Sequence, residues 1–117
     1  MAGTQRLICA SEALADGERG VRFEVGRDAL PRPAFAVRFR GRVYAYVNEC
    51  RHQDTELDWN HGEFFDSTRL YLICASHGAV YEPESGRCVL GPCRGKRLQS
   101  VAVIERDGQI FCDEDVS

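Results

Sequence analysis

The chain has 117 residues, 44% hydrophobic and 28% charged, which suits one domain with a core of its own. Its net charge of −3, with Lys96 the only lysine, excludes the basic profile of a nucleic-acid binder. No apolar run reaches the roughly 20 residues of a membrane helix, and the opening MAGTQRLICA lacks the apolar stretch of a secretory leader, so the expected location is the cytoplasm. In chain order, RLICA (6–10) reads as a first strand and Ser11 opens a turn or short helix. GVRFEV (20–25) reads as a second strand. AFAVRFR (34–40) alternates, with Phe35, Val37 and Phe39 on one side and Arg38 and Arg40 on the other, the mark of a half-buried strand. Gly41-Arg42 turns the chain into VYAYVNE (43–49), a hairpin. LYLIC (70–74), AVYE (79–82), a turn at PESG (83–86) and SVAVIE (100–105) follow, and Asp107-Gly108 turns into a last strand at 109–113. No long helical period and no internal repeat interrupts them. The expectation is one all-β domain over 1–117, an antiparallel sandwich or barrel.

Between residues 50 and 69 the strand pattern fails, and a structureless stretch of this length in a compact domain is usually functional. It begins with Cys50-Arg51-His52, and Cys74 and His77 stand beyond it, with 21 residues between His52 and Cys74. Each Cys/His pair follows a predicted strand, so two neighbouring strands would bring both pairs to one end of a sheet. A nucleophilic cysteine needs one base and one orienting group, which leaves a duplicated pair unexplained. Two thiolates and two imidazoles satisfy tetrahedral zinc, although zinc sites usually open with two cysteines. A Rieske [2Fe–2S] centre requires this stoichiometry, with two thiolates on one iron and two imidazoles on the other.

At these residues the chain resembles the Rieske ferredoxins, such as the ferredoxin components of ring-hydroxylating dioxygenase systems. Residues 50–57 fit C-x-H-x₄-L and residues 74–78 fit C-x-x-H-G; Tyr81, Gly86 and Gly91-Pro92 follow in place, and VAVIERDGQIF is similar to the family's closing hairpin. The resemblance implies one [2Fe–2S] cluster held by Cys50 and Cys74 on one iron and by His52 and His77 on the outer iron. Leu57, Gly78, Tyr81 and Pro92 would support the ligands, Tyr81 by bonding a ligand cysteine. It implies a base of antiparallel strands (1–48 and 94–117) with a cluster-binding subdomain inserted at about 49–93. The partners it implies are a flavin-type ferredoxin reductase and a terminal oxygenase or other acceptor, for a carrier that is most simply a monomer.

Several positions depart from the high-potential members. Their paired loop cysteines are replaced by Thr55 and Ser76, and the serine after His-Gly, which bonds a bridging sulfide, is replaced by Ala79. Fewer hydrogen bonds to cluster sulfur lower the potential, which places the midpoint on the order of −150 to 0 mV. Arg51 stands where a small residue or proline is usual, and the segment from Pro92 to Leu98 is one residue longer than usual.

With His52 and His77 assigned, His61 alone remains, too few for a mononuclear iron held by two histidines and a carboxylate. No dinucleotide fingerprint is present. The expected role is electron carrier rather than enzyme; a redox-sensing or regulatory subunit and a zinc-stabilised binding module are the alternatives. Cys9 and Cys112 read as buried thiols, and Cys88 and Cys93 as thiols flanking Gly91-Pro92. Trp59, Phe64 and Phe65 read as a local core under the first ligand segment. Asp54, Glu56, Asp58, Glu63 and Asp66 read as exposed acids around it, with a capacity to steer a partner.

Overall fold

The computed structural model describes residues 5–25, 32–48, 57–58, 62–74, 78–91 and 95–113. Among them nine strands form: β1 (Gln5–Ala10), β2 (Val21–Val25), β3 (Arg32–Phe39), β4 (Arg42–Val47), β5 (Leu72–Ile73), β6 (Val80–Tyr81), β7 (Cys88–Leu90), β8 (Val103–Arg106) and β9 (Gln109–Asp113). A single 3₁₀ turn covers Ser11–Ala13. The strands make three antiparallel sheets, ordered β1-β9-β8, β2-β3-β4 and β5-β6-β7. The all-β reading holds. β7 has no counterpart among the expected strands, because three residues between Gly86 and Gly91 are too few to show a period.

The middle sheet is shared by two cores, one on each face. Phe35, Val37 and Tyr46 face residues 57–98, packing with Leu57, Phe64, Leu72, Cys74 and Tyr81. Ala34, Ala36, Ala45 and Val47 face the terminal sheet, packing with Val101, Ile110 and Cys112. The half-buried reading of 34–40 therefore needs correction: Ala34, Phe35, Ala36 and Val37 are all buried, and alternation survives only toward the exposed Arg40. The second face is covered by residues far along the chain, which local patterning does not report. Phe35 is wholly buried and stacks on Phe64 with centroids 4.0 Å apart. Burying such a ring contributes roughly 2–3 kcal/mol.

The β3–β4 hairpin turns one residue earlier than expected. Phe39 pairs with Arg42, leaving Arg40-Gly41 as a two-residue loop with φ of 51° and 83°. Two positive φ values in succession match the strand twist. Arg40 offsets part of its backbone strain by laying its guanidinium 4.9 Å from the Phe39 ring centroid. Asp107-Gly108 joins β8 to β9 in the expected place, with φ of 54° and 74°.

Arg38 ties the base together. Its Nε donates to the Leu14 carbonyl at 2.6 Å, Nη2 to the Ser11 carbonyl at 3.2 Å, and Nη2 to Glu105 Oε2 at 2.6 Å. Residues 95–98 hydrogen-bond to β7 and to the turn before it, with Cys88 N to Lys96 O at 2.7 Å and Leu98 N to Gly86 O at 2.8 Å. From Gln99 the chain returns to β4, where Val47 N donates to Gln99 O at 2.8 Å.

Candidate metal centre

Cys74 is the first residue after β5, and its position follows from the strand. Leu72 pairs with Tyr81 and Ile73 with Val80, so β5 and β6 form a hairpin whose connection is residues 74–79. That connection is closed at its ends: Cys74 N–H donates to the Ala79 carbonyl and Gly78 N–H to the Cys74 carbonyl, both at 2.8 Å. Gly78 has φ of 72°, a conformation costly for a side-chain-bearing residue. Cys74, Ala79, Tyr81 and Leu57 are all fully buried in one cluster.

A second segment closes over this hairpin. At Gly91 a Cβ would lie 2.8 Å from Ala79 Cα, so the residue next to Pro92 packs its backbone against the residue that ends the Cys74 turn. Cys50, His52, His77 and Pro92 themselves lie outside the described residues, as do Arg51, Asp54, Thr55, Glu56, Trp59, His61, Ser76 and Cys93. Accordingly, among the described residues no three His, Cys, Asp or Glu converge as a metal site. What is described fits the expected group. A buried thiol stands at a strand end, the turn that follows it is glycine-dependent, and the next segment approaches within backbone contact.

The residues that flank 49–56 are described on both sides. Asn48 follows β4 directly and is 1% exposed. Its Oδ1 accepts from Leu57 N–H at 2.8 Å, and its Nδ2 donates to Asp58 Oδ1 at 2.9 Å. Asp58 Oδ2 accepts from Gly62 N–H at 2.9 Å and lies 3.2 Å from Arg22 Nε on β2. Asp58 is 3% exposed, which corrects its reading as an exposed acid. A buried carboxylate needs partners, and here two segments supply hydrogen bonds and a third supplies a cation. The sequence hint is its place directly after Leu57, a residue expected to be internal.

Of the other acids described, Glu63 is exposed as expected and Asp66 is half-buried. Glu63 is an exposed partner of Arg19 at 3.3 Å, and Asp66 Oδ1 accepts from Thr68 Oγ1 at 2.7 Å. Phe64 is wholly buried and Phe65 packs beside it, which supports the local-core reading of the pair. Cys9, Cys74, Cys88 and Cys112 are thiols. Cys112 and Cys88 are buried; Cys9 is only half-buried, and burial chiefly pushes its thiol pKa up, away from reactivity. No helix among the described residues is long and apolar enough to cross a membrane.

The family model described as the Rieske [2Fe-2S] domain matches residues 4–105. No curated protein matches the chain. Among solved structures, the ferredoxin of carbazole 1,9a-dioxygenase from Nocardioides aromaticivorans IC177 is 21% identical, with a TM-score of 0.74 over 96% of this chain and 99% of that one. A chain in the complex of reduced oxygenase and oxidized ferredoxin in carbazole 1,9a-dioxygenase is 19% identical, with a TM-score of 0.73 over 97% and 95%. A longer chain in the reduced complex between oxygenase and ferredoxin of carbazole 1,9a-dioxygenase is matched over 28% of its length, at 19% identity and a TM-score of 0.72. At these identities the likeness is one of fold.

Proposed function

The chain belongs to the Rieske [2Fe–2S] domain family, and on that premise we propose that it is a ferredoxin-type carrier of single electrons, taking them from a flavin-type reductase and delivering them to a terminal oxygenase or another acceptor. The observation that carries the reading is the extent of the match, residues 4–105 of the 117. Neighbours of the same fold include a ferredoxin and complexes between oxygenase and ferredoxin.

Cys50 and Cys74 would hold one iron through thiolates, and His52 and His77 the other through imidazoles. When bound, the cluster supplies one reversible electron. The chain's own part is to hold the donors. The buried hairpin keeps Cys74 away from water and competing oxidants, since thiolate chemistry depends on exposure. Leu57, Gly78, Tyr81 and Pro92 support the ligand segments. Ala79, fully buried, offers no hydroxyl to the cluster, which supports a midpoint in the lower part of the Rieske range. The base comprises 1–48 and 94–117, and the inserted subdomain about 49–93. The bonds from residues 95–98 to β7 carry the last turn of that subdomain on to Leu98. Leu90, 60% exposed beside Gly91, offers an apolar contact to a partner at this end of the molecule. A monomer in the cytoplasm is the form in which such a carrier works most simply.

Iron and sulfide analysis with visible and EPR spectra tests the reading. Equal iron and sulfide with an EPR signal on reduction is expected, abolished by C74S or by H52A. Zinc without sulfide would replace the carrier by a zinc-stabilised binding module. Reduction by a flavin reductase, and reoxidation by an oxygenase, would separate carrier from sensor.

A further inference from the structure

The loop ahead of β2 and β2 itself are pinned to residues 58–69 by three ion pairs of unequal character. Arg19–Glu63 and Arg69–Glu18 are exposed on both partners, and such pairs contribute little. Arg22–Asp58 is different, because the Asp58 side chain is wholly buried. Around it the backbone is tight: Gly20 N–H donates to the Gly62 carbonyl at 2.8 Å, and a Cβ at Gly20 would meet the Ala36 carbonyl at 2.7 Å and the Phe64 ring at 2.8 Å. Gly20, bonded to the residue whose N–H meets Asp58, is thus packed directly against β3 and Phe64.

Among the described residues the carboxylate accepts from Asn48 Nδ2 and Gly62 N–H, and the Arg22 guanidinium faces it as an ion pair, with Nε at 3.2 Å. Asn48 in turn receives Leu57 N–H. Residues 48 and 57, which flank residues 49–56 in the sequence, are thus hydrogen-bonded to each other. Cys50 and His52 lie in that interval. The network that fastens its ends is buried and anchored to the base through Arg22.

We propose that Asp58 is a positioning residue for the metal centre: its carboxylate, joined to Asn48, Gly62 and Arg22, fixes the two ends of the segment that carries Cys50 and His52. The inference rests on the reading of that segment as the first half of a [2Fe–2S] site. Partners of metal ligands act on affinity, typically by about 10–100-fold, without touching the metal. Asp58 acts one step further out, through the path of the chain rather than through a bond to a ligand.

The test uses the cluster-loaded protein and two readouts, the EPR line shape of the reduced form and the rate at which visible absorbance is lost in a chelator. D58N places an amide donor among donors and should speed cluster loss about tenfold and broaden the EPR signal. N48D sets two carboxylates against each other and should do the same. The double variant N48D/D58N exchanges the roles: the carboxylate then accepts from Leu57 N–H and from the amide at 58, whose oxygen accepts from Gly62 N–H. Arg22 then faces an amide oxygen in place of a carboxylate, so the double variant should lose its cluster more slowly than either single variant and show an EPR line nearer the parent's. E105Q, which weakens the base at the Arg38 pair, should lower the melting temperature and leave both cluster readouts unchanged. The proposal is overturned if D58N loses its cluster at the parental rate, if the double variant behaves as badly as the singles, or if E105Q affects the cluster as D58N does. A parent protein with no iron–sulfur spectrum at all would instead bring down the reading on which the proposal stands.

Discussion

Tyr46 of β4 donates its hydroxyl proton to the carbonyl oxygen of Pro83 at 2.6 Å, joining the middle sheet to the turn between β6 and β7. Both residues are buried, and Gly86 lies so near that a Cβ there would sit 2.7 Å from the Tyr46 ring. Burial raises the Tyr46 pKa well above its ordinary value of 10, with the neighbouring Tyr44 adding to the effect. The folded chain therefore holds this phenol protonated where the unfolded chain would release the proton.

Y46F should destabilise the protein by about 1–2 kcal/mol at pH 7, because the Pro83 carbonyl stays buried without this donor. The sign of the pH effect follows from a raised acid pKa. The contribution of protonated Tyr46 is complete below pH 10 and is lost as pH rises above it. Urea titrations at pH 7 and at about pH 11 should show the parent falling more steeply than Y46F between the two.

Glu105 gives the opposite dependence. The Arg38 guanidinium, hydrogen-bonded to it at 2.6 Å, holds its carboxyl below the ordinary 4.5. Stability from a depressed carboxyl is present above pH 4.5 and is lost as pH falls through the lower folded value. E105Q should melt at lower temperature than the parent near neutral pH and converge on it below pH 4.5. A constant difference down to about pH 3 would show that the pair acts through packing rather than charge.

A79S tests the low-potential reading. A hydroxyl bonding cluster sulfur is worth about 1 kcal/mol, or about 40 mV for one electron. Voltammetry should place the parent on the order of −150 to 0 mV and A79S above it by that amount. A parent midpoint well above about +100 mV would contradict the assignment of Ala79 and Ser76 as low-potential markers.

Gly91 and Gly41 separate contact from conformation. Both have positive φ, 104° and 83°. A Cβ at Gly91 meets Ala79 Cα at 2.8 Å, while one at Gly41 meets nothing within 4 Å. G41A should cost about 1 kcal/mol from backbone strain alone. G91A should cost about 1–3 kcal/mol more and speed cluster loss, since the displaced residue is Ala79 at the end of the Cys74 turn. Equal melting temperatures for the two variants would remove the packing argument.

Most strands are legible in the sequence, because β3, β4, β8 and β9 carry local signals: alternation, and turn dipeptides between apolar runs. The one-residue offset at Arg40-Gly41 is a matter of register. Either Arg40 or Arg42 satisfies the pattern, and only the pairing of Phe39 with Arg42 decides. The burial of Ala34 and Ala36 is invisible locally because their cover, Val101 and Ile110, comes from the far end of the chain.

The chemistry of the site is set by the sequence alone. Ligation depends on which donors are present and at what spacing, and for the proposed ligands Cys50, His52, Cys74 and His77 both can be read in the sequence. Which polar groups go inside is decided by tertiary structure alone. Asp58 looks like a neighbour of Asp54 and Glu56 in the sequence, yet it is buried because Asn48, Gly62 and Arg22 converge on it. A charge stays in a protein interior only when its desolvation is offset by such partners. Those partners are adjacent only in the folded chain.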